Sequence, residues 1–340
     1  MSDLEYAVLY GAAFLVPLAS VLLLTPLAAR LATRLGVIDL PGGHKTHLEA
    51  TPYLGGAAVA VGLIVVGFVV GSTTRQIVII AGCGLGVFGL GLLDDVRGVR
   101  PFYKLAFETA LGSILWFAGI RAGLFGFAPV DFLLTIAWVV GITNAVNLID
   151  NIDGLASSVA AIASLAYFAI AAPQGDYLVA AFALGLAGTS IGFLRHNFPP
   201  ARIFLGDAGS LLLGFMLASL GLLLDLDVSG GLRLVIQALI LGVPVLDTVL
   251  VVASRRRGGR SVLEGGTDHA SHRLTRLGLS KRTVVGVLCL VQAACATIAV
   301  AIADGSGAGW AIAVSMVALL VTAIAILARG RSTPSPTPDS

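Results

Sequence analysis

The feature that most constrains this chain is a series of apolar runs, each long enough to cross a lipid bilayer. A transmembrane helix needs about 20 mostly apolar residues. Short polar segments separate eleven such runs, at 5–29, 54–72, 76–93, 102–120, 132–149, 155–172, 177–195, 208–225, 233–253, 283–303 and 309–328. The sequence therefore predicts an all-α polytopic membrane protein of about eleven transmembrane helices, with ten as the alternative.

The composition excludes several classes of protein. Charged residues make up only 12% of the 340 residues and hydrophobic residues 57%, whereas soluble domains carry roughly 25% charge. A soluble enzyme, a disulfide scaffold and a nucleic-acid binder are therefore excluded. Cys83, Cys289 and Cys295 lie inside apolar runs, where we expect them to be small buried hydrophobes without disulfide or metal chemistry.

The distribution of positive charge predicts the orientation. With the N-terminus outside, cytoplasmic loops and the adjoining helix ends hold 18 of the 21 Lys and Arg residues, and only Arg75, Arg121 and Arg233 remain on the other side. Cytoplasmic loops are enriched in Lys and Arg. We therefore predict an external N-terminus, a cytoplasmic C-terminus, one transmembrane catalytic domain over 1–331 and a disordered cytoplasmic tail over 332–340.

Two carboxylates end the third apolar run. The segment GLGLLDDVRGVRPFYK places Asp94 and Asp95 directly after apolar residues. A carboxylate at membrane depth costs roughly 2.5–3.5 kcal/mol. A nearby divalent cation or a proton-transfer site would explain the pair. The alternative is a helix end that reaches the headgroup water without any chemical role.

A polar stripe ends the fifth run. In NAVNLIDNIDGLA the polar residues Asn144, Asn147, Asp150 and Asp153 are spaced three apart. On a helix, this spacing places them on one slanting face, which cannot contact lipid. The stripe predicts either a ligand site or, as the structural alternative, a water-filled cleft or hydrogen-bond network between helices.

The eighth run begins with FLGDAGS. Asp207 and Ser210 lie at the start of this helix, beside Gly206 and Gly209. Outward-pointing backbone N–H groups there would donate hydrogen bonds to a phosphate or a metal-bound ligand. Asp207 acting as an ordinary helix cap is the alternative interpretation.

Basic residues follow on the same predicted side. His269, His272 and Arg273 form a compact cluster suited to phosphate contact, whereas the arginines at 255–257 and 260 are explained by topology and lipid headgroups. Lys45 and His47 lie in a Pro- and Gly-rich loop. This loop is either shaped to bind a ligand or only contributes to the positive charge of the cytoplasmic side. Together with Lys104 and the five aspartates, these groups suit Mg²⁺ and phosphates. The sequence thus predicts phosphoryl transfer between a soluble nucleotide diphosphate and a membrane lipid.

The LLDD, NAVNLIDNIDGLA and FLGDAGS segments together resemble the polyprenyl-phosphate N-acetylhexosamine-1-phosphate transferases. The resemblance implies transfer of a sugar 1-phosphate from a UDP-N-acetylhexosamine to undecaprenyl or another polyprenyl phosphate, with release of UMP, in the first membrane step of cell-wall or surface polysaccharide synthesis. It implies a Mg²⁺ cofactor, which Mn²⁺ could replace, a cytoplasmic active site in the cell membrane and, as a further expectation, a homodimer. A one-step reaction and one with an aspartyl-phosphate intermediate both stay open.

The resemblance also implies roles for individual residues. Asp94 and Asp95 match the family's aspartate pair, and Asp207 matches its principal Mg²⁺ ligand. The nucleotide pocket would be lined by Asn147, Asp150 and Asp153, and uracil held by Asn197, Phe204 and Asp153. Lys45 and His47 resemble the K-x-H loop. The remaining predicted site residues are Lys104, Gly206, His269, His272 and Arg273.

The HASHR segment bears on the donor sugar. It resembles the H-x-H-H-R signature of the GlcNAc-1-phosphate branch more than the triple histidine of the phospho-MurNAc-pentapeptide translocases, although Ser271 replaces the middle histidine. The resemblance therefore favours UDP-GlcNAc, with the translocase as the alternative. An ion-coupled secondary transporter is disfavoured because the carboxylates lie at the ends of runs and no inverted repeat is evident.

Overall fold

The structure, a computed structural model, describes residues 2–39, 51–72, 74–261 and 266–305. Several predictions lie outside these ranges: the eleventh apolar run at 309–328, the tail at 332–340, and the side chains of Lys45 and His47. The division into one catalytic domain and a tail stays a prediction.

The described residues are mostly helical. The helices are α1 (Asp3–Leu35), α2 (Gly55–Val70), α3 (Arg75–Arg97), α4 (Pro101–Phe117), α5 (Ala128–Ile149), α6 (Leu155–Ala171), α7 (Tyr177–Asn197), α8 (Gly206–Leu223), α9 (Gly230–Ile240), α10 (Gly242–Arg257), α11 (Ala270–Arg276) and α12 (Lys281–Ala303). Two short strands, β1 (Ile38–Asp39) and β2 (Thr51–Pro52), pair antiparallel.

Each of the first ten predicted runs coincides with a helix or, in one case, with two helices. By length and apolar character, six helices of the described chain are able to cross a membrane, or seven if the bent pair α9–α10 forms one span. Two more, α2 and α6, are apolar but shorter. This is the architecture of a polytopic membrane protein. The total of eleven spans and the orientation of the termini stay predictions.

The central helix of the bundle is α8. It contacts α2, α3, α5, α6 and α7, while α1 packs on α7 and α2, and α12 packs on α6 and α9. Small residues permit this close packing: a Cβ atom added at Gly56 of α2 would lie 2.4 Å from the backbone N of Gly209 in α8. Contact between backbones at small residues is a common way for membrane helices to associate.

The predicted single helix over 233–253 is wrong. The chain bends by 91° between α9 and α10. The carbonyl of Ile240 would normally accept a bond from residue 244, but Pro244 has no N–H group. Gln292 of α12 replaces the missing partner, because its Nε2 donates to Ile240 O at 2.6 Å and its Oε1 accepts from Val243 N at 3.0 Å. A buried side chain thus provides hydrogen-bond partners for the two backbone groups that the break leaves without one.

Candidate active site

One lysine joins two of the predicted aspartates. Lys104, in the first turn of α4, places its Nζ 2.5 Å from Asp94 Oδ2 and 2.9 Å from Asp207 Oδ2. All three side chains are largely buried, at 15%, 12% and 28% exposure for Lys104, Asp94 and Asp207. The ends of α3, α4 and α8 therefore meet at a charged cluster, as the sequence predicts.

Asp95 has a different environment from Asp94. Its Oδ1 accepts a hydrogen bond from Asp207 N at 2.8 Å and its Oδ2 one from Ala208 N at 3.0 Å. A carboxylate at this position caps the N-terminus of α8, and its negative charge interacts favourably with the helix dipole. The prediction that these N–H groups are available to a phosphate is therefore wrong for Asp207 and Ala208, since Asp95 already occupies both donors.

Two glycines allow this arrangement. Gly206 has a φ of +74°, and a Cβ there would lie 2.7 Å from Asp95 Oδ2. A Cβ on Gly91 of α3 would lie 2.5 Å from the carbonyl oxygen of Asp207. Any side chain at either position would push Asp95 away from the start of α8.

The polar stripe of α5 faces the same cluster. Asn147 Nδ2 donates to Asp207 Oδ1 at 3.0 Å and to Ser210 Oγ at 2.9 Å. Asp150 follows the last residue of α5 and interacts electrostatically with Asp207, Asp95 and Asp153. In the described parts of the chain, no hydrogen bond to its carboxylate is found. Asp150 is therefore able to bind a cation or to accept a hydrogen bond from a ligand.

Asn144 completes the stripe with a partner that the sequence analysis did not single out. Its Nδ2 donates to Val140 O at 2.9 Å and to Glu108 Oε2. Glu108 is 1% exposed and lies one helical turn after Lys104. The available signal was a carboxylate inside the apolar run 102–120.

The histidine segment contacts the turn after α5. Ser271 Oγ donates to Asn151 Oδ1 at 2.5 Å, which joins α11 to the turn that carries Asp150 and Asp153. The rings of His269 and His272 are 5.9 Å apart between centroids. The structure therefore brings the predicted basic cluster next to the predicted aspartate turn, through Ser271.

Asp247 of α10 is a further residue of the site, not predicted from the sequence, and it contacts the start of this segment. The Nδ1 of His269 is 2.7 Å from Asp247 Oδ2, and Asp247 Oδ1 accepts from Ala270 N at 2.7 Å. Both side chains are buried, His269 at 5% and Asp247 at 4% exposure. The sequence feature that could have indicated Asp247 is, as for Glu108, a carboxylate within an apolar run, here 233–253. Since the Asp247 bond fixes the ring, Nε2 is the nitrogen of His269 that remains for other contacts.

Asp268 organises the arginines around the segment. Its carboxylate lies 2.7 Å from Arg260 Nη2 and 3.4 Å from Arg255 Nε, and its carbonyl oxygen accepts from Arg273 Nε at 2.9 Å. Burial alone would raise the pKa of Asp268, but the bonds and charges of Arg260 and Arg255 hold it below its usual range. Burial, together with the charges of His269 and Arg276, lowers the pKa of His272.

The residues predicted to hold uracil lie in and around the loop before α8. Asn197 is 2% exposed, and its amide donates to Ile203 O at 2.9 Å and accepts from Gly154 N at 2.9 Å. Asp153 accepts from Ala201 N at 3.3 Å and lies 3.7 Å from Lys281 Nζ. These contacts shape the loop from within. Direct contact of Asn197 with uracil stays a prediction, as does that of Asp153.

A cavity of about 620 Å³ adjoins the charged cluster. Its walls are the last turn of α1, β1, Tyr53 and the carboxylates Asp94, Asp95 and Asp207. The ring of Tyr53 packs edge-on against Phe204, with centroids 6.0 Å apart. Burial, and then the carboxylates Asp95 and Asp150, raise the pKa of Tyr53, so its phenol stays protonated as a hydrogen-bond donor.

The donor set suits a magnesium ion held partly by its substrate. Within the described ranges, no group of three or more His, Cys, Asp or Glu side chains converges in the manner of an all-protein metal site. Mg²⁺ commonly uses one or two carboxylates together with water and substrate phosphates. Asp94 and Asp207 already converge on one cation, the Lys104 ammonium. The residues therefore fit such an ion.

The sequence is similar to those of known proteins. The sequence model of glycosyl transferase family 4 matches residues 77–225, which include the residues from Asp94 to Asp207 described above. A probable undecaprenyl-phosphate N-acetylglucosaminyl 1-phosphate transferase of Bacillus subtilis is 32% identical over 293 residues, covering 82% of this chain and 81% of the relative. The chain belongs to glycosyl transferase family 4.

Other relatives show the breadth of this family. A decaprenyl-phosphate N-acetylglucosaminephosphotransferase of Mycobacterium tuberculosis is 32% identical over 301 residues, covering 76% of this chain and 74% of the relative. A phospho-N-acetylmuramoyl-pentapeptide-transferase of Limosilactobacillus fermentum is 32% identical over 216 residues, covering 59% of this chain and 66% of the relative.

Proposed function

We propose that this protein transfers N-acetylglucosamine 1-phosphate from UDP-GlcNAc to undecaprenyl or another polyprenyl phosphate and releases UMP. The observation that carries the proposal is the Lys104 ammonium held between Asp94 and Asp207 beside a cavity of about 620 Å³. The names of two relatives, each 32% identical and matched over 82% and 76% of this chain, support GlcNAc as the transferred sugar.

The chemistry is an in-line displacement. An oxygen of the lipid phosphate attacks the β-phosphorus of the UDP-sugar, and the bond from that phosphorus to the UMP oxygen breaks. Positioning and charge neutralisation account for most catalysis of phosphoryl transfer. The second pKa of a phosphate is near 6, so the lipid phosphate needs little help from a base at neutral pH. Lys104 would hold one of the two reacting phosphates.

The residues that would hold magnesium are Asp207 and Asp94. Bound there, the ion would supply neutralisation of the negative charge that collects on the leaving UMP. Asp95 would keep α8, and hence Asp207, in place. Manganese would replace magnesium with the same ligands, since both are hard ions that prefer oxygen.

We place the site at the cytoplasmic surface of the cell membrane. The support is the asymmetry of positive charge. Under the predicted topology, the opposite side holds three of the 21 Lys and Arg residues, Arg75, Arg121 and Arg233. A nucleotide sugar would then reach the site from the cytoplasm, and the lipid phosphate from the bilayer. A homodimer stays a prediction.

The test is UMP release by detergent-purified protein supplied with undecaprenyl phosphate, Mg²⁺ and, in parallel, UDP-GlcNAc, UDP-GalNAc or UDP-MurNAc-pentapeptide. We expect release with UDP-GlcNAc, lost on chelation and in Asp207→Asn, and kept in the matched control Asp304→Asn at the exposed end of α12. Release with the pentapeptide donor alone would assign the chain to the translocases. No release with any donor from a folded protein would overturn the proposal.

A further inference from the structure

A second cavity lies at the opposite end of the bundle from the aspartates. Its volume is about 230 Å³, and the last turn of α8 lines it at Gly221 and Leu222. Asp207 is fourteen residues earlier on the same helix, roughly 20 Å away along the helix axis at 1.5 Å per residue. This cavity is therefore separate from the candidate active site.

Two arginines and a largely apolar surface line the cavity. The arginines are Arg121, after the end of α4, and Arg233, in the first turn of α9. Most of the remaining walls are leucine, alanine and Trp138. Under the predicted topology, Arg75 is the one further Lys or Arg residue on this side of the bundle. Two of three scarce cations thus converge on one apolar cavity.

The guanidinium groups keep unused donors. Arg233 donates through Nη2 to Asp225 Oδ1 at 3.2 Å and to Leu226 O at 2.5 Å, but its Nε is buried without a partner in the described chain. Arg121 lies over the ring of Trp116, 5.2 Å from the centroid. Within the described residues, Asp225 is the carboxylate in a salt bridge with either arginine, and it is 90% exposed.

The other polar groups of the cavity are already satisfied. Gln237 accepts from Tyr167 Oη at 2.9 Å and donates to Gly221 O at 2.9 Å. Trp138 Nε1 donates to Ala218 O at 3.1 Å. The arginines therefore supply the donors that remain for a ligand.

We propose that this cavity binds an anionic phospholipid, whose phosphate contacts Arg121 and Arg233 and whose acyl chain covers the apolar wall. Basic pockets between transmembrane helices on the cytoplasmic side of membranes bind the head groups of anionic lipids, and this cavity offers the same kind of groups on the opposite side. Guanidinium donors match phosphate oxygens in geometry and charge. Exposed apolar side chains of α9 next to the cavity, Leu234 at 42% and Val235 at 45%, provide the surface along which a lipid chain would lie.

The test is native mass spectrometry of delipidated protein in detergent, titrated with phosphatidylglycerol or phosphatidylcholine. We expect a retained phosphatidylglycerol adduct and at least tenfold weaker retention of phosphatidylcholine. The double variant Arg121→Gln, Arg233→Gln should weaken phosphatidylglycerol retention at least tenfold. The matched control is Arg75→Gln, which removes the third arginine of the same side and should leave retention unchanged.

Single variants of Arg121 give an independent test if Arg233→Gln disturbs the loop at Leu226. Arg121→Gln alone should weaken retention at least threefold and Arg121→Lys by less. UMP release from UDP-GlcNAc and undecaprenyl phosphate, in detergent free of other phospholipid, should be unchanged in both variants. Equal retention of the two lipids, or an equal loss in Arg75→Gln, would overturn the proposal. Undecaprenyl phosphate retention that falls in the double variant would make the polyprenyl lipid the occupant and would also overturn it.

Discussion

The carboxylate of Asp95 accepts a hydrogen bond from the backbone N–H of Asp207, 2.8 Å away and 112 residues later in the chain. The second carboxylate oxygen accepts from Ala208 N. The two adjacent aspartates at the end of α3 thus have different tasks. Asp94 contacts the Lys104 ammonium, while Asp95 fixes the start of the helix that carries Asp207.

Asp95→Ala should therefore act on stability as well as on activity. Loss of a helix cap costs about 0.5–2 kcal/mol, and here Asp207 would also lose its anchor. We expect a lower melting temperature and at least a tenfold loss of UMP release. Asp95→Asn keeps one acceptor and should retain most of the stability. The control is Asp304→Ala at an exposed helix end; equal melting temperatures for Asp95→Ala and this control would contradict the capping role.

Lys104→Met should remove the cation that contacts both Asp94 and Asp207. Removing one preorganised electrostatic contact typically costs about 10²- to 10³-fold in kcat. We expect a loss of that size and partial recovery in Lys104→Arg, measured as UMP release at saturating substrates. Arg30→Gln, on an exposed part of α1, is the control. Full activity in Lys104→Met would show that the lysine only balances charge in the resting protein.

Asp247 and His269 should behave as one unit. Removing one partner of a buried hydrogen bond costs about 1–3 kcal/mol, because the other group stays buried without its partner. We expect Asp247→Ala and His269→Ala each to lower the melting temperature and the activity, and the double variant to be little worse than either. Additive losses in a double-mutant cycle would contradict the coupling.

His272 should make the native protein less stable in mild acid. Burial and the neighbouring charges of His269 and Arg276 lower its pKa, so the unfolded chain binds a proton that the native chain does not. The free energy of unfolding contributed by this residue therefore falls as the pH drops through about 6.5, the ordinary histidine value. Between pH 7.5 and 5.5, we expect a smaller drop in melting temperature for His272→Asn than for the unaltered protein. An equal drop would contradict the lowered pKa.

The apolar runs could be found from the sequence because each membrane helix must satisfy its own backbone hydrogen bonds and cover itself with apolar side chains. The ten runs that fall on described residues coincide with helices for this reason. The break between α9 and α10 was not predictable, because its acceptor and donor come from Gln292, about fifty residues later. The sequence shows Pro244 but not the side chain that makes the bend tolerable.

The residue types of the candidate site were also evident from the sequence alone. Carboxylates, amides and a lysine are costly near lipid, so Asp94, Asp95, Asn147, Asp150 and Asp207 were conspicuous in apolar surroundings. Their partners were not, since Asp94, Asp95, Asn147 and Asp207 are each bonded by a residue from another helix. Only the tertiary structure distinguishes Asp94 from Asp95, joins Asn144 to Glu108 and sets Asp247 behind His269. Burial cost marks a polar residue within one segment, whereas its hydrogen-bond partner depends on which helix ends the packing brings together.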